Sequence, residues 1–175
     1  VTLTATDAVH DVILNAGAVI NAGAGGATVD SAGQIQDFGA TVTAAGAISM
    51  EAGGNNFNAQ GAYTSTGGDV TFVTNGGIMQ VSGSVDAGQD VNITSSNGVE
   101  LTGGPINAGR DVTSFSAMGT TIITTDLTAS GDINVTAGLG GGDTLNFSSG
   151  SATAGGDITL AAGEEVLITP GVTSV

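Results

Sequence analysis

The sequence predicts an all-β fold, a parallel β-helix or β-solenoid with coils of about 21 residues. Three observations predict it. One short motif returns along the chain at a fixed spacing, apolar and polar residues alternate after each copy, and glycine fills 31 of 175 positions against a usual share of about 7%.

The motif copies are Gly68-Asp69-Val70, Gln89-Asp90-Val91, Arg110-Asp111-Val112, Gly131-Asp132-Ile133 and Gly156-Asp157-Ile158. Their aspartates stand 21, 21, 21 and 25 residues apart (69 to 90, 90 to 111, 111 to 132, 132 to 157). A small-residue corner precedes the later copies: Ala87-Gly88, Ala108-Gly109, Ala129-Ser130 and Ala154-Gly155. Before each corner comes a short strand with an apolar centre, as in Ser84-Val85-Asp86 and Pro105-Ile106-Asn107.

After each aspartate the chain alternates with the period of a half-buried strand. Val70 and Phe72, Val91 and Ile93, Ile133 and Val135, and Ile158 and Leu160 face inward, while Thr71, Asn92, Asn134 and Thr159 face out. A second strand follows a Gly/Asn turn and carries Ile78 and Met79, Val99 and Leu101, Ile122 and Ile123, Leu145 and Phe147, then Val166 and Ile168. One such unit cannot bury its apolar face alone, so units must stack in register and share a core. About eight coils at one strand spacing make a rod roughly 40 Å long. The whole chain, 1–175, reads as a single solenoid with clear repeats over 67–168 and degenerate ones over 1–66.

Irregularities fall at defined places. The longer spacing after Asp132 puts extra residues in Gly138-Leu139-Gly140-Gly141-Gly142-Asp143, an outward loop. After Asp111 the apolar residue slips from position 114 to Phe115, which predicts a local bulge. In the first third, Asp11-Val12-Ile13-Leu14 and Ala47-Ile48-Ser49-Met50 read as degraded copies of the aspartate motif.

Composition narrows the function classes. Asp and Glu number 16 against one basic residue, Arg110, for a net charge of -15, so nucleic acid is a poor partner. There is no cysteine for disulfides or thiolate metal sites. No apolar run approaches the roughly 18 residues of a membrane-spanning helix, so the chain is not read as membrane-inserted. Val1 and Val175 fall in mid-pattern, which reads as a mature subunit or an excised fragment.

The runs Val85-Asp86-Ala87-Gly88-Gln89-Asp90-Val91-Asn92-Ile93 and Ile106-Asn107-Ala108-Gly109-Arg110-Asp111-Val112 resemble the repeat of filamentous-haemagglutinin-type bacterial exoproteins, adhesins secreted by the two-partner route. The resemblance spans Gly67 to Ile168, with the remainder weaker; autotransporter passenger domains share such repeats. It implies a right-handed β-helix shaft, exported through the outer membrane and used in adhesion or biofilm contact at a host or neighbouring-cell surface. Two departures stand out. The family's Asn-rich secretion module is not recognisable, and members that bind sulfated sugars need basic patches where this chain has only Arg110.

Candidate chemical sites each meet a simpler structural reading. The column Asp69, Asp90, Asp111, Asp132 and Asp157 could form a calcium ladder, but one regular carboxylate per coil suits turn capping by backbone N–H bonds better. The stretch 138–145 resembles one calcium nonapeptide, a motif that works in tandem copies. No Gly-Lys-Ser/Thr follows any glycine run, which removes the phosphate loop. A glycosidase would need a carboxylate pair such as Glu164-Glu165 or Asp126 with Asp132, and a lyase would need a cationic base. His10 reads as a surface residue, and Tyr63 and the five Phe form no recurring exposed row.

The threonine pairs Thr2-Leu3-Thr4, Thr41-Val42-Thr43 and Thr64-Ser65-Thr66 do not keep the 21-residue period, which argues against an ice-binding face. The sequons at Asn92, Asn134 and Asn146 arise readily in Asn/Thr-rich strands. No residue is therefore assigned a catalytic, cofactor or metal role, and no enzyme activity or cofactor is expected. The expected role is a secreted or cell-surface shaft. The alternative is a subunit of an extracellular filament, whose partners are other copies of itself joined through open sheet edges.

Overall fold

The structure is a computed structural model describing residues 1–169 and 171–174; Val175, one of the two ends considered above, lies outside them. The described residues form 24 short strands and no helix, arranged as three parallel sheets of eight strands. The first sheet stacks β1 (Thr2–Ala5), β4 (Ala27–Ser31), β7 (Ile48–Ala52), β10 (Val70–Thr74), β13 (Val91–Ser95), β16 (Val112–Ser116), β19 (Ile133–Ala137) and β22 (Ile158–Ala162). The second stacks β2 (Val12–Leu14), β5 (Ile35–Asp37), β8 (Phe57–Ala59), β11 (Met79–Val81), β14 (Val99–Leu101), β17 (Thr121–Ile123), β20 (Thr144–Phe147) and β23 (Glu165–Ile168). The third stacks β3 (Val19–Ala22), β6 (Thr41–Ala44), β9 (Ala62–Ser65), β12 (Ser84–Ala87), β15 (Ile106–Ala108), β18 (Leu127–Ala129), β21 (Ser151–Ala154) and β24 (Gly171–Ser174). Each coil gives one strand to each sheet in turn, so the described residues make eight coils.

In-register stacking turns the alternation along each strand into columns down the rod. The predicted inward stack is present: Val70, Val91, Val112 and Ile133 are successive register partners, with Ile48 and Ile158 continuing it on either side. All four are fully buried. A second column of the first sheet runs Leu3, Val29, Met50, Phe72, Ile93, Ser114, Val135, Leu160. The second sheet contributes Val12, Ile35, Phe57, Met79, Val99, Thr121, Leu145, Val166. The third contributes Ile20, Val42, Tyr63, Val85, Ile106, Leu127, Ala152, Val172. Each buried aliphatic side chain in these columns stabilises the stack by about 1.5–3 kcal/mol. Three buried rings meet where the third coil passes into the fourth, with Phe72 packed edge-on against Phe57 and Tyr63 at centroid distances of 5.3 and 4.9 Å.

Two sequence expectations are corrected here. No bulge forms at Phe115: β16 pairs residue for residue with β13 and β19, so Ser114 takes the inward place between Ile93 and Val135 while Phe115 faces solvent. Five continuous ladder positions outweigh the burial of one ring. The second correction concerns Asp11-Val12-Ile13-Leu14, which joins the second sheet opposite Ile35-Gln36-Asp37 and is not a copy of the aspartate motif. Ala47-Ile48-Ser49-Met50 is such a copy, with Ile48 opposite Val70. The extra residues after Asp132 do form a loop between β19 and β20, with Leu139 exposed.

The glycine excess follows from coil spacing. A Cβ on Gly83 would lie 1.6 Å from the carbonyl oxygen of Gly61 in the preceding coil, and one on Gly103 equally close to that of Ser82. The predicted corner glycines are under similar constraint, since a Cβ on Gly109 would meet the Gly88 carbonyl oxygen at 2.2 Å. Gly25 has open space around it. Gly83→Ala should therefore lower stability by about 1–3 kcal/mol through overpacking, whereas Gly25→Ala should be close to neutral. Thermal melting of the two variants side by side checks this, and equal melting temperatures would contradict it.

Candidate functional site

The aspartate motif builds a ladder between coils. Asp69 accepts the backbone N–H of Asp90 at 3.1 Å, Asp90 that of Asp111 at 3.2 Å, Asp111 that of Asp132 at 2.8 Å, and Asp132 that of Asp157 at 2.8 Å. The capping expected from sequence thus takes a particular form: each carboxylate holds the turn of the next coil. Asp69, Asp90, Asp111 and Asp132 thus each have an N–H of the next coil as partner.

Arg110 joins this ladder from outside. It grips the Asp90 carboxylate through two nitrogens, Nε at 3.0 Å and one terminal nitrogen closer still. That contact, ahead of the Asp111 amide, holds the Asp90 carboxyl below its ordinary 3.8. A carboxyl lowered on folding adds stability above its unfolded pKa and loses it as the pH falls through the folded value. The guanidinium is largely exposed, so solvent and salt weaken the effect.

Away from Arg110, neutral amides from neighbouring coils do what lysines would do elsewhere. Gln34 donates to Asp11 at 2.7 Å, Asn75 to Glu51 at 2.7 Å, Gln80 to Glu100 at 2.8 Å and Asn107 to Asp86 at 2.7 Å. The Gln34 side chain, then its backbone N–H, lower the Asp11 pKa.

Asp37 is the polar centre that sequence reasoning did not find. It occupies an inward place of the second sheet between Leu14 and Ala59 and is fully buried. Its carboxyl accepts from the N–H groups of Gly39 at 3.0 Å, Ala40 at 2.7 Å and Gly61 at 2.8 Å, and from the Tyr63 hydroxyl. Burial, followed by the Asp37 charge, pushes the Tyr63 hydroxyl well above its ordinary pKa, which keeps it a donor. The local signal was Asp37-Phe38-Gly39, an Asx-turn pattern; Tyr63 lies 26 residues on and gave no hint.

The remaining candidates are scattered. Asp126 accepts from Ser151 at 2.8 Å just before β18, and Asp132 serves the first-sheet ladder. Glu164 and Glu165 are exposed at the start of β23. His10 is exposed, as expected, yet does have an acid neighbour, Asp7, with Nδ1 3.4 Å from the carboxylate. Asp143 turns back from its loop to accept from Gly119 at 2.7 Å and Gly140 at 3.0 Å. Among the described residues no group of three or more His, Cys, Asp or Glu is placed to hold a metal ion. Of the rings, Phe57, Tyr63, Phe72 and Phe147 are buried, while Phe38, in the turn after β5, and Phe115, in β16, are exposed.

Outward positions also line up. The row Thr71, Asn92, Thr113, Asn134, Thr159 is in register as expected and extends through Ser49 and Thr28 to Thr2. The third sheet carries a similar row, in which Thr43 and Thr64 are direct partners and Thr128, Thr153 and Thr173 follow beyond Asp86 and Asn107. The Thr-x-Thr pairs themselves do not stack, as expected: Thr2 and Thr4 lie in the first sheet, and in the third Thr41 stands opposite Ala62 while Thr43 meets Thr64.

Comparison with protein-family models, with curated proteins and with solved structures returns no match for this chain.

The aspartate ladder predicts a metal-independent rod. Asp111→Ala should lower stability by about 1 kcal/mol, the usual net worth of one hydrogen bond, by the same amount in calcium and in chelator. Calorimetry under both conditions tests it; a large calcium-dependent rise in the native melting temperature would instead assign the column to cation binding.

Proposed function

We propose that this chain is a shaft segment of a secreted bacterial cell-surface adhesin or biofilm exoprotein, a spacer that holds other regions away from the cell. The observation that carries this reading is the unbroken in-register stack of three sheets through eight coils. Each coil hydrogen-bonds only to its neighbours, so length grows by one strand spacing per coil while cross-section stays fixed. The outer faces carry small hydroxyl and amide side chains with paired carboxylates, a surface that stays hydrated and repels its own kind. The resemblance of the 85–93 and 106–112 runs to filamentous-haemagglutinin-type repeats points to the same role.

A second reading has its own support. Strands β1, β2 and β3 at one end, and β22, β23 and β24 at the other, pair on one side only. Such edges are completed either by further coils or by another copy of the chain, and the latter gives an end-to-end filament.

Removing residues 91–111 would delete one whole coil and rejoin Asp90 to Val112, restoring the motif. Producing cells with this deletion should still display the protein outside the cell and still attach, with the rod shorter by about 4.8 Å. Surface labelling of intact cells with antibody and an attachment assay check both points. Protein found only inside the cell, or attachment lost while display persists, would refute the spacer role. Particles that lengthen with concentration in sedimentation would favour the filament.

A further inference from the structure

We propose that the sixth coil, formed by β16, β17 and β18, is a built-in yielding point at which the solenoid opens before its neighbours. The inward columns described above show why. In the Leu3-to-Leu160 column of the first sheet the one polar residue is Ser114, and in the Val12-to-Val166 column of the second sheet the one polar residue is Thr121. Both belong to this coil. Ser114 stands between Ile93 and Val135, and Thr121 between Val99 and Leu145.

Both hydroxyls are buried, and neither has a hydrogen-bond partner. This contrasts with the next inward residue of the same strand, Ser116, whose Oγ receives the Gly98 N–H at 2.7 Å and donates to the Met118 carbonyl. Ser95 and Thr125 likewise donate to turn carbonyls. Those three hydroxyls are satisfied, while Ser114 at the centre of β16 and Thr121 at the start of β17 are not; the fifth and seventh coils each carry one such buried atom, Ser96 Oγ and Asn146 Oδ1. The coil also leaves two large apolar side chains outside, with Phe115 39% and Met118 57% exposed.

In a nearest-neighbour stack the stability of a coil is set by its contacts with the two beside it. An orphan hydroxyl loses its hydration without compensation, and Ser and Thr give the flanking rungs less apolar surface than Ile, Val or Leu would. The sixth coil carries both penalties on two of its three sides. Opening there needs no rupture of the aromatic cluster or of the Asp37 centre, which lie in earlier coils. The inference concerns the fold and does not rest on the shaft reading.

Hydrogen–deuterium exchange of the full chain, resolved by peptide, tests the proposal. Amides of 112–116 and 121–123 should exchange about tenfold or more faster than those of 91–95, 99–101 and 133–137. The double substitution Ser114→Val with Thr121→Val should slow the fast segments to the rate of their neighbours, and because it removes orphan groups it should keep the fold. Exchange in the sixth coil as slow as in the fifth, or fast exchange that persists unchanged in the double variant, would overturn the proposal.

Discussion

The constraint on which everything else depends is the strand spacing. Parallel backbone hydrogen bonds hold successive coils about 4.7–4.9 Å apart on all three sides, so each residue has its counterpart from the next coil directly above it. Apolar residues must therefore form columns, because a polar side chain inward has apolar neighbours above and below. Turns must lie flat on turns, which is why Gly83 and Gly103 have no room for a Cβ. Narrowness follows too. A three-sided interior filled largely by Ala, Val, Ile and Leu admits few rings, and three of its four buried rings gather at Phe57, Tyr63 and Phe72.

The same spacing should make an acidic repeat protein repel itself, since a conserved period sets like charges one strand apart. With 16 acids and a single base, ordinary ion pairing cannot be the remedy. The chain uses neutral donors instead: the backbone N–H of the next coil for the aspartate column, and Gln or Asn side chains for Asp11, Glu51, Asp86 and Glu100. Asp37 takes the principle furthest, with three backbone donors and a tyrosine around a fully buried carboxyl. Replacing Asp37 by alanine would leave the buried Ala40 and Gly61 N–H groups and the Tyr63 hydroxyl without their acceptor, at a cost of about 1–3 kcal/mol for each.

Much of this was legible in the sequence because a solenoid writes its geometry as a period. The spacing of Asp69, Asp90, Asp111 and Asp132 gave the coil length, and alternation after each aspartate gave the inward stack Val70, Val91, Val112 and Ile133. What was illegible falls where local pattern and register disagree. Phe115 looked like the core residue because it is apolar, yet the ladder assigns the inward place by position, and Ser114 holds it. Asp11 imitated the aspartate motif but starts a second-sheet strand, since short strands of different sheets share one alphabet. The Asp37–Tyr63 contact joins residues 26 apart in the least regular part of the chain, where no period could relate them.

The central claim is that coils 21 or so residues long stack one strand spacing apart in continuous register. The chain has no cysteine, so pairs of spin labels can be placed on the outward row at Thr71 with Thr113, with Asn134 and with Thr159. Double electron–electron resonance should give backbone separations near 10, 14 and 19 Å, a rise of about 4.8 Å per coil. Distances that do not rise in equal steps along this row would contradict the stack.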